Sequence, residues 1–263
     1  MEEIAKAISE LQKKVGSLEL AQKMPESYHC SACQDKGYIF TTQGEYQMGK
    51  KCKCTLLKEA KARLDKSGLG DLLETRTFEN YQVSGEYQKF IKKTAMEYLE
   101  SFLNGDNYSF SILGQSGVGK THITTAISKK LLDMGVGVKY YIADEIIQNL
   151  QACKFDEENY NNEFNKIVRA DVLFIDDLFK SSLTNYYNEE GIKKEDLREI
   201  FKVINYRYNK KLPILLNSEI HFERFTNIDQ AIIGRINEMC NYKYLISIKP
   251  DSSKNYRLSK KSV

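Results

Sequence analysis

Short apolar runs alternate with longer amphipathic stretches from residue 86 to residue 248, which is the pattern of an α/β domain. The apolar runs predict strands over residues 108–113, 135–143, 172–175, 213–219 and 244–248. The amphipathic stretches predict helices over residues 86–103, 121–133, 144–152, 194–209 and 228–240. Because the run at 172–175 is wholly apolar, we expect buried parallel strands rather than a sheet with one face in water.

The amino-terminal part of the chain has a different pattern. Residues 1–23 predict a helix whose apolar positions follow an a/d heptad spacing: Ile4, Ile8, Leu11, Val15 and Leu18. This narrow seam fits a helix of another protein and packing on the chain's own next element equally well. A further helix is predicted within residues 55–75, and two glycines at its end favour a boundary there. We therefore expect two domains, residues 1–75 and residues 76–263.

Residues 114–121 have the sequence G-x-x-x-x-G-K-T, the signature of a phosphate-binding loop, or P-loop. The predicted nucleotide contacts are Gly114, Gln115, Ser116, Gly117, Val118, Gly119, Lys120 and Thr121. Glycines allow the backbone N–H groups to face phosphates, and the following helix points its amino end at them. Lys120 can reach the β- and γ-phosphates, and the Thr121 hydroxyl can hold Mg²⁺.

Polar side chains end two later predicted strands. Asp176 and Asp177 follow the apolar run 172–175, and Asn217 ends the run that begins at Pro213. Ligands of parallel α/β sheets bind at the carboxyl ends of the strands. We expect Asp176 to complete the Mg²⁺ shell, and Asp177 to orient and polarise the attacking water. Asn217 would place its amide beside the γ-phosphate, and an ordinary strand-end turn residue is the alternative interpretation.

Four of the six cysteines form the pattern C-x2-C, eighteen residues, C-x-C: Cys30, Cys33, Cys52 and Cys54. Four thiolates satisfy tetrahedral Zn²⁺, and the segment between the pairs predicts two short strands around Gly44. So short a segment has little core, so the metal would supply its stability. We predict a structural zinc site, with His29 as an alternative ligand and four unrelated thiols as the other interpretation. The remaining two, Cys153 and Cys240, have no partner spacing and are predicted to be buried.

Composition and charge limit the class of protein. The sequence has no run of 18 apolar residues, and its first residues lack the apolar region of a signal peptide. We therefore expect a cytoplasmic protein that has no membrane partner. The net charge is +3, but residues 249–263 contain five basic residues and one acidic residue. This basic tail is either a contact with nucleic acid or a solvated end.

Together, these motifs resemble the AAA+ ATPases, and among them the DnaC/DnaI-type helicase loaders of the IstB-like ATP-binding group. The closer resemblance rests on residues 114–122, 170–178, 204–208 and 213–219, and it adds His122 to the expected cofactor contacts. The segment around Arg235 is similar to the one that carries this family's arginine finger. A zinc-binding amino-terminal domain is also known in this group.

The resemblance implies an αβα sandwich around a five-stranded parallel sheet of order 5-1-4-3-2, preceded by a small helical and zinc-ribbon-like domain. Asp176 and Asp177 match the Walker B pair, and Asn217 matches sensor 1. The implied cofactors are ATP, Mg²⁺ and Zn²⁺, and Arg235 would act on the ATP of a neighbouring subunit in a self-associated assembly. The implied partners are a hexameric DnaB-type replicative helicase, bound by residues 1–75, and single-stranded DNA.

The chain departs from the AAA+ pattern in two places. Asp177 stands where many members have Glu, so we expect slow hydrolysis, and no helical lid with a sensor-2 arginine is expected after residue 248. Tyr140 and Tyr141 are suited either to base stacking or to the core. The alternative functions are a transposition-helper ATPase of the same fold, a P-loop kinase of small metabolites, and a zinc-dependent DNA-binding adaptor with an inactive ATPase fold. The cysteine cluster favours the loader.

Overall fold

The computed structural model describes residues 28–43, 46–66, 71–181 and 192–256. The helix predicted over residues 1–23, with its heptad seam, lies outside the described residues. The last seven residues of the basic tail also lie outside them.

The chain divides into two compact units, Met1–Cys52 and Lys53–Val263. In the described part of the first unit, β1 (Tyr38–Gln43) pairs antiparallel with β2 (Tyr46–Lys51). A backbone hydrogen bond of 2.8 Å from the Cys52 N–H to the Gly37 carbonyl closes the open end of this hairpin. The two short strands predicted between the cysteine pairs are confirmed.

The larger unit contains a parallel sheet and helices that alternate with its strands. The described helices are α1 (Lys53–Lys66), α2 (Leu72–Thr75), α3 (Glu86–Leu103), α4 (Lys120–Asp133), α5 (Ala143–Ala152), α6 (Glu157–Val168), α7 (Lys194–Asn209), α8 (Phe222–Ile228) and α9 (Gln230–Met239). The strands are β3 (Phe110–Gly114), β4 (Val138–Ile142), β5 (Val172–Leu178), β6 (Ile214–Ser218) and β7 (Leu245–Ile248).

The five strands lie in the order β4-β5-β6-β3-β7, and each neighbouring pair is parallel. Numbered from β3 along the chain and taken from the β7 edge, this is the predicted order 5-1-4-3-2. Strands β3 and β6 are buried along their whole length because their residues are apolar or hydrogen-bonded on both faces. The parallel order brings the carboxyl ends of β3, β5 and β6 to one edge of the sheet.

The larger unit begins at Lys53, earlier than the boundary predicted at residue 75. The physical reason is burial, because Ala60 of α1 and Leu73 of α2 belong to the same hydrophobic core as the sheet. Helix α1 packs against α4 and β4, and α2 packs against α4. Residues 53–75 therefore complete the core of the larger unit, and a shared function for residues 1–75 stays a prediction.

The polar stretch at residues 154–166 forms most of helix α6, which the sequence pattern does not predict. The Asp156 carboxylate caps this helix by accepting the Asn159 N–H at 3.0 Å. Its apolar side is narrow and packs on the core through Tyr160, Phe164, Ile167 and Val168. A second cap, in which Asp229 accepts the Ile232 N–H, begins α9, which corresponds to the helix predicted over residues 228–240, whereas the preceding helix α8 is not predicted by the sequence pattern.

A fully buried arginine ties the amino ends of two central strands together. Arg207 on α7 donates to the carbonyls of Val168, Ala170, Asp171 and Pro213 at 2.6–3.1 Å. Burial lowers the pKa of Arg207 to about 10, so the guanidinium remains charged at neutral pH. These contacts fix the segments that enter β5 and β6, whose other ends carry the predicted site residues.

Candidate functional site

The P-loop joins the end of β3 to the first turn of α4. Gly117 and Gly119 have φ angles of 81° and 91°, in the left-handed region that favours glycine. A Cβ at Gly119 would lie 3.0 Å from the Tyr81 ring, so a side chain there would meet both strain and a close contact. The loop thus has the backbone geometry from which N–H groups and a helix amino end can bind phosphate.

Lys120 is buried at the start of α4, with 6% of its surface exposed. Its Nζ donates to the carbonyls of Gly114 at 2.8 Å and Gln115 at 2.9 Å. Burial lowers the pKa of Lys120, and the carboxylates of Glu219, Asp177 and Asp176 oppose that shift. The ammonium is therefore held at the loop by neutral acceptors, where a phosphate oxygen would be a stronger, charged partner.

Asp176, at the end of β5, is the centre of a buried hydrogen-bond network. Its Oδ1 accepts from Asn217 Nδ2 at 2.9 Å and from Thr121 Oγ1 at 3.3 Å. The Thr124 hydroxyl lies 2.8 Å from Asn217 Oδ1, which orients the amide so that its NH₂ group faces Asp176. Burial raises the pKa of Asp176, the Asn217 hydrogen bond lowers it, and the charge of Asp177 raises it again. The structure thus brings the predicted residues of three strand ends together.

Thr121 and Asp176 fit a magnesium site by their chemistry. A hydroxyl and a carboxylate are hard oxygen donors, which Mg²⁺ prefers, and their oxygens lie 3.3 Å apart. Burial raises the pKa of the Asp176 carboxyl because it disfavours the ionised form. A bound cation would stabilise that ionised form.

Asp177 has a neighbour that the sequence patterns do not single out. Lys180 Nζ lies 2.9 Å from Asp177 Oδ2 and 3.3 Å from Glu219 Oε1. Asp177 itself has a φ of 53°, which is rare for a non-glycine residue and occurs mainly where other contacts enforce it. The three-residue spacing from Asp177 to Lys180 is the signal that points to the first ion pair. The second ion pair, between Lys180 and Glu219, can be recognised only from the structure, in which β6 lies beside β5.

A cleft of about 900 Å³ lies over the P-loop. It is lined by Ser116 to His122, by Asp176, Asp177, Lys180 and Glu219, and by side chains from residues 72–88. His122 faces this cleft with its Nε2 2.9 Å from the Thr77 carbonyl and its ring edge-to-face with Tyr81. Burial lowers the pKa of His122, so the neutral ring is favoured.

The two adjacent tyrosines of β4 belong to the core. Tyr140 and Tyr141 are 4% and 2% exposed, which confirms the core interpretation and excludes base stacking by these rings on the surface. Tyr140 also lines the cleft, with its hydroxyl 3.4 Å from Asp176 Oδ2.

Arg235 is not among the residues that line the cleft of its own chain. It lies on α9, where its Nε donates to Asn205 Oδ1 at 3.0 Å and its guanidinium lies 4.9 Å from the centre of the Phe201 ring. The guanidinium of Arg235 therefore lies close to α7. A role at the γ-phosphate requires the cleft of another subunit and remains a prediction.

The four cysteines of the predicted zinc site form one group. The sulfurs of Cys30, Cys33, Cys52 and Cys54 all lie within 4.8 Å of one another, as a single bound ion requires. The segment that carries the first two is closed by Asp35, whose carboxylate accepts the N–H of Cys30 at 2.9 Å. These four thiols fit a structural Zn²⁺ by number and type.

The alternative ligand His29 and the two remaining cysteines lie outside this group. The His29 side chain is fully exposed and lies beside Asp35, outside the cysteine group. Cys240 is buried as predicted, and burial raises the pKa of its thiol to about 12. Cys153 is only half-buried, at the carboxyl end of α5, which differs from the prediction.

Replacing Asp176 by Asn should stabilise the protein in the absence of nucleotide and Mg²⁺. Asn keeps the acceptor for Asn217 and removes a carboxylate whose pKa is raised above 3.8 by burial. That raised pKa makes ionised Asp176 unfavourable in the folded state as the pH rises above 3.8, so the gain should be larger at about pH 7.5 than at about pH 5. We expect the midpoint of thermal unfolding to rise by roughly 2–4 °C, which corresponds to about 1 kcal/mol in a domain of this size.

The matched control for this measurement is Glu100→Gln, which neutralises an exposed carboxylate on α3. It should leave the midpoint unchanged at both pH values. An Asp176→Asn midpoint that falls, or a gain that shrinks toward neutral pH, would contradict the proposed burial cost.

Removing the metal should unfold the hairpin β1–β2. We expect the purified protein to contain about one zinc per chain, and Cys52→Ser to lose it, because structural zinc uses all four thiolates. Metal content by mass spectrometry and thiol reactivity with and without a chelator measure this directly. Cys153→Ser is the control and should retain the zinc. Full zinc content in Cys52→Ser would show that the four thiols do not act together.

Comparisons with known proteins place the chain among ATP-binding proteins. A family model described as IstB-like ATP binding protein matches residues 57–262. The phage-like element PBSX protein XkdC of Bacillus subtilis (strain 168) is 32% identical over 240 residues, which cover 88% of this chain and 87% of that protein. The replicative helicase loader DnaC of Buchnera aphidicola subsp. Schizaphis graminum (strain Sg) is 26% identical over 147 residues, covering 53% of this chain and 59% of that protein.

A solved crystal structure of DnaI shares the fold, with a TM-score of 0.51 and 20% identity over 71% of this chain and 93% of that one. None of the helices in the described residues is long and apolar enough to span a membrane. The family match extends over most of the chain and includes the P-loop, the strand that carries Asp176 and the helix that carries Arg235. The chain therefore belongs to the family of IstB-like ATP-binding proteins and has DnaC helicase loaders among its relatives.

Proposed function

We propose that this protein is an ATP-dependent helicase loader. It binds a hexameric DnaB-type replicative helicase through residues 1–75 and places it on single-stranded DNA. Mg-ATP binding and slow hydrolysis act as the switch between assembly and release. The observation that carries this proposal is the presence, in one chain, of an IstB-like ATP-binding site and a preceding four-cysteine cluster. The similarity to a protein named replicative helicase loader DnaC supports it.

ATP binding would use charge that is already placed in the cleft. The P-loop N–H groups and the amino end of α4 receive the phosphates, and Lys120 exchanges two neutral carbonyl acceptors for anionic oxygens. Thr121 and Asp176 would hold Mg²⁺, which neutralises phosphate charge when bound. Asn217 keeps Asp176 in place through their 2.9 Å hydrogen bond.

Hydrolysis would depend on Asp177, which orients the attacking water. The structure has this carboxylate in an ion pair with Lys180, so Asp177 must share or give up that contact to bind water. Asp is also one methylene shorter than the Glu of many AAA+ members. Both features support slow turnover, which an assembly switch tolerates.

Self-association would complete the site. Among the described residues Arg76 is the one arginine that lines the cleft, and it lies close enough to His122 to lower the pKa of that ring, whereas Arg235 lies on α9 and is not part of the cleft lining. A neighbouring subunit's Arg235 would supply the missing charge, so hydrolysis would require the assembled protein.

The test is complex formation with the replicative helicase of the same host, measured by size exclusion with light scattering, with and without ATP. Two truncations sharpen it. Removal of residues 1–52 leaves the core of the larger unit intact, whereas removal of residues 1–75 also removes Ala60 and Leu73 from it. We expect the full chain to form a complex and both truncated chains to form none. Cys52→Ser should weaken complex formation as much as removal of residues 1–52 does.

The outcomes separate the rival functions. A full chain that forms no complex under any nucleotide condition would shift the assignment to the transposition helper of the same fold. Multiple-turnover phosphorylation of a nucleoside would identify a small-molecule kinase instead. Nucleotide binding by the P-loop is common to the loader and to both of these rivals.

A further inference from the structure

The chain does not leave the larger unit after β7. Residues 251–256, here named the strap, lie against the P-loop and contain one 3₁₀ turn, Ser252–Lys254. The Asp251 carboxylate holds this turn by accepting the Ser253 N–H at 3.0 Å and the Ser253 hydroxyl at 2.6 Å. The first part of the predicted solvated tail is therefore an ordered element.

The strap is attached to the P-loop at two points. The Gln115 side chain donates to the Asp251 carbonyl at 2.6 Å and accepts the Asp251 N–H at 2.6 Å, which is a reciprocal pair like that between two strands. Further on, the Tyr256 N–H donates to the Gly117 carbonyl at 3.1 Å. A Cβ on Gly117 would lie 2.1 Å from Asn255 Oδ1 and 3.2 Å from Asn255 Cα, so a side chain there would require Asn255 to shift.

The strap is also attached to the opposite wall of the cleft. The Tyr87 hydroxyl donates to the Lys254 carbonyl at 3.1 Å, and the Tyr256 hydroxyl donates to Gln82 Oε1 at 2.6 Å. Gln82, Tyr87 and Tyr256 all line the cleft. The strap therefore connects the P-loop to the wall formed by residues 81–88.

Two polar groups on that wall are buried without a hydrogen-bond partner among the described residues: the Tyr81 hydroxyl and Gln88 Oε1. Both residues line the cleft, and the Tyr81 hydroxyl lies next to Gly119. Buried polar groups are nearly always satisfied, so an unsatisfied one facing a cleft indicates a bound molecule with polar atoms. A nucleotide has such atoms in its phosphates, its sugar and its base.

We propose that the strap is a part of the nucleotide site: through Gln115 and Gly117 it holds the P-loop in its binding geometry, and through Tyr256 and Gln82 it closes the cleft. The ligands are nucleoside di- and triphosphates. The described residues after β7 contain no helical lid, and the strap lies beside the cleft with Tyr256 among the residues that line it. The inference rests on nucleotide binding by this chain and is independent of helicase loading.

The first test compares two truncations by titration calorimetry with Mg-ADP and with a slowly hydrolysed Mg-ATP analogue. A chain that ends at Pro250 lacks the strap, and one that ends at Tyr256 keeps it and lacks only the last seven residues. We expect affinity to fall on the order of tenfold or more in the shorter chain, from the loss of several hydrogen bonds that preorganise the loop. The longer chain should bind as the full chain does. Equal binding by all three would overturn the proposal.

The second test separates a local effect from a loss of fold. Gln115→Met removes the reciprocal pair with Asp251 and keeps the P-loop backbone. If the strap acts through this contact, Gln115→Met weakens binding in the full chain and adds little in the chain that ends at Pro250. Losses of equal size in both backgrounds would show that the truncation acts elsewhere, and would overturn the proposal. Thermal unfolding without nucleotide is recorded for each variant.

These measurements use the isolated protein, so their outcome is distinguishable from that of the helicase experiment. A protein that binds nucleotide in a strap-dependent way but forms no helicase complex would retain this inference and lose the loader function. A protein that forms the helicase complex but binds nucleotide equally well without the strap would retain the loader function and lose this inference.

Discussion

We expect Lys120→Met to abolish the proposed ATP hydrolysis and to weaken nucleotide binding by about 100-fold or more, because the phosphates lose their one buried cationic partner in the P-loop. Methionine has a similar length and no charge, so the variant removes a desolvated ammonium without leaving a large cavity. The folded state should therefore be as stable as the natural one. Phosphate release measures hydrolysis, calorimetry measures binding, and thermal unfolding without nucleotide measures stability.

The matched control is Lys130→Met, which makes the same substitution at an exposed position of the same helix. It should change neither binding nor hydrolysis. If Lys120→Met hydrolysed ATP at the natural rate, the P-loop would not be the catalytic nucleotide site of this chain.

Arg235→Ala should lower hydrolysis by about 10³-fold or more and leave nucleotide binding within about twofold. The reason for the difference is location, since Arg235 contacts Asn205 and Phe201 and does not line the cleft of its own chain. Its guanidinium would act only on the ATP of a neighbouring subunit. Arg198→Ala, an exposed arginine on α7, is the control that should keep full activity.

A mixing experiment decides whether the arginine acts between subunits. The Lys120→Met protein has an intact Arg235, and the Arg235→Ala protein has an intact Lys120. Each is inactive alone, and we expect the mixture to recover part of the hydrolysis. A mixture as inactive as its components, with both variants shown to assemble, would rule out action between subunits.

The P-loop and the strand ending in Asp176 and Asp177 were predictable because the information is local. A glycine at a position of positive φ, an apolar run and the residue that follows it are properties of neighbouring residues. The proximity of Asp176 and Asn217 follows from one further rule, that parallel strands end at the same edge of a sheet.

Contacts between side chains distant in sequence were not predictable in this way. Lys180 contacts Glu219 where two strands end, and Gln115 contacts Asp251, which lies 136 positions further along the chain. Arg207 is buried in the core, whereas its residue type alone predicts an exposed position. Each of these depends on where complete elements pack, and no short pattern encodes that.

The sequence by itself determined the chemistry of this protein: a P-loop, an acidic strand end, a polar strand end and a group of four cysteines. It did so because nucleotide and metal ligands must be particular residue types at particular spacings. Only the tertiary structure decided that Lys180 pairs with Asp177, that Arg235 lies away from its own cleft, and that residues 251–256 cover the P-loop. These are outcomes of packing, in which burial and hydrogen bonding between whole elements select one arrangement among many that the local patterns allow.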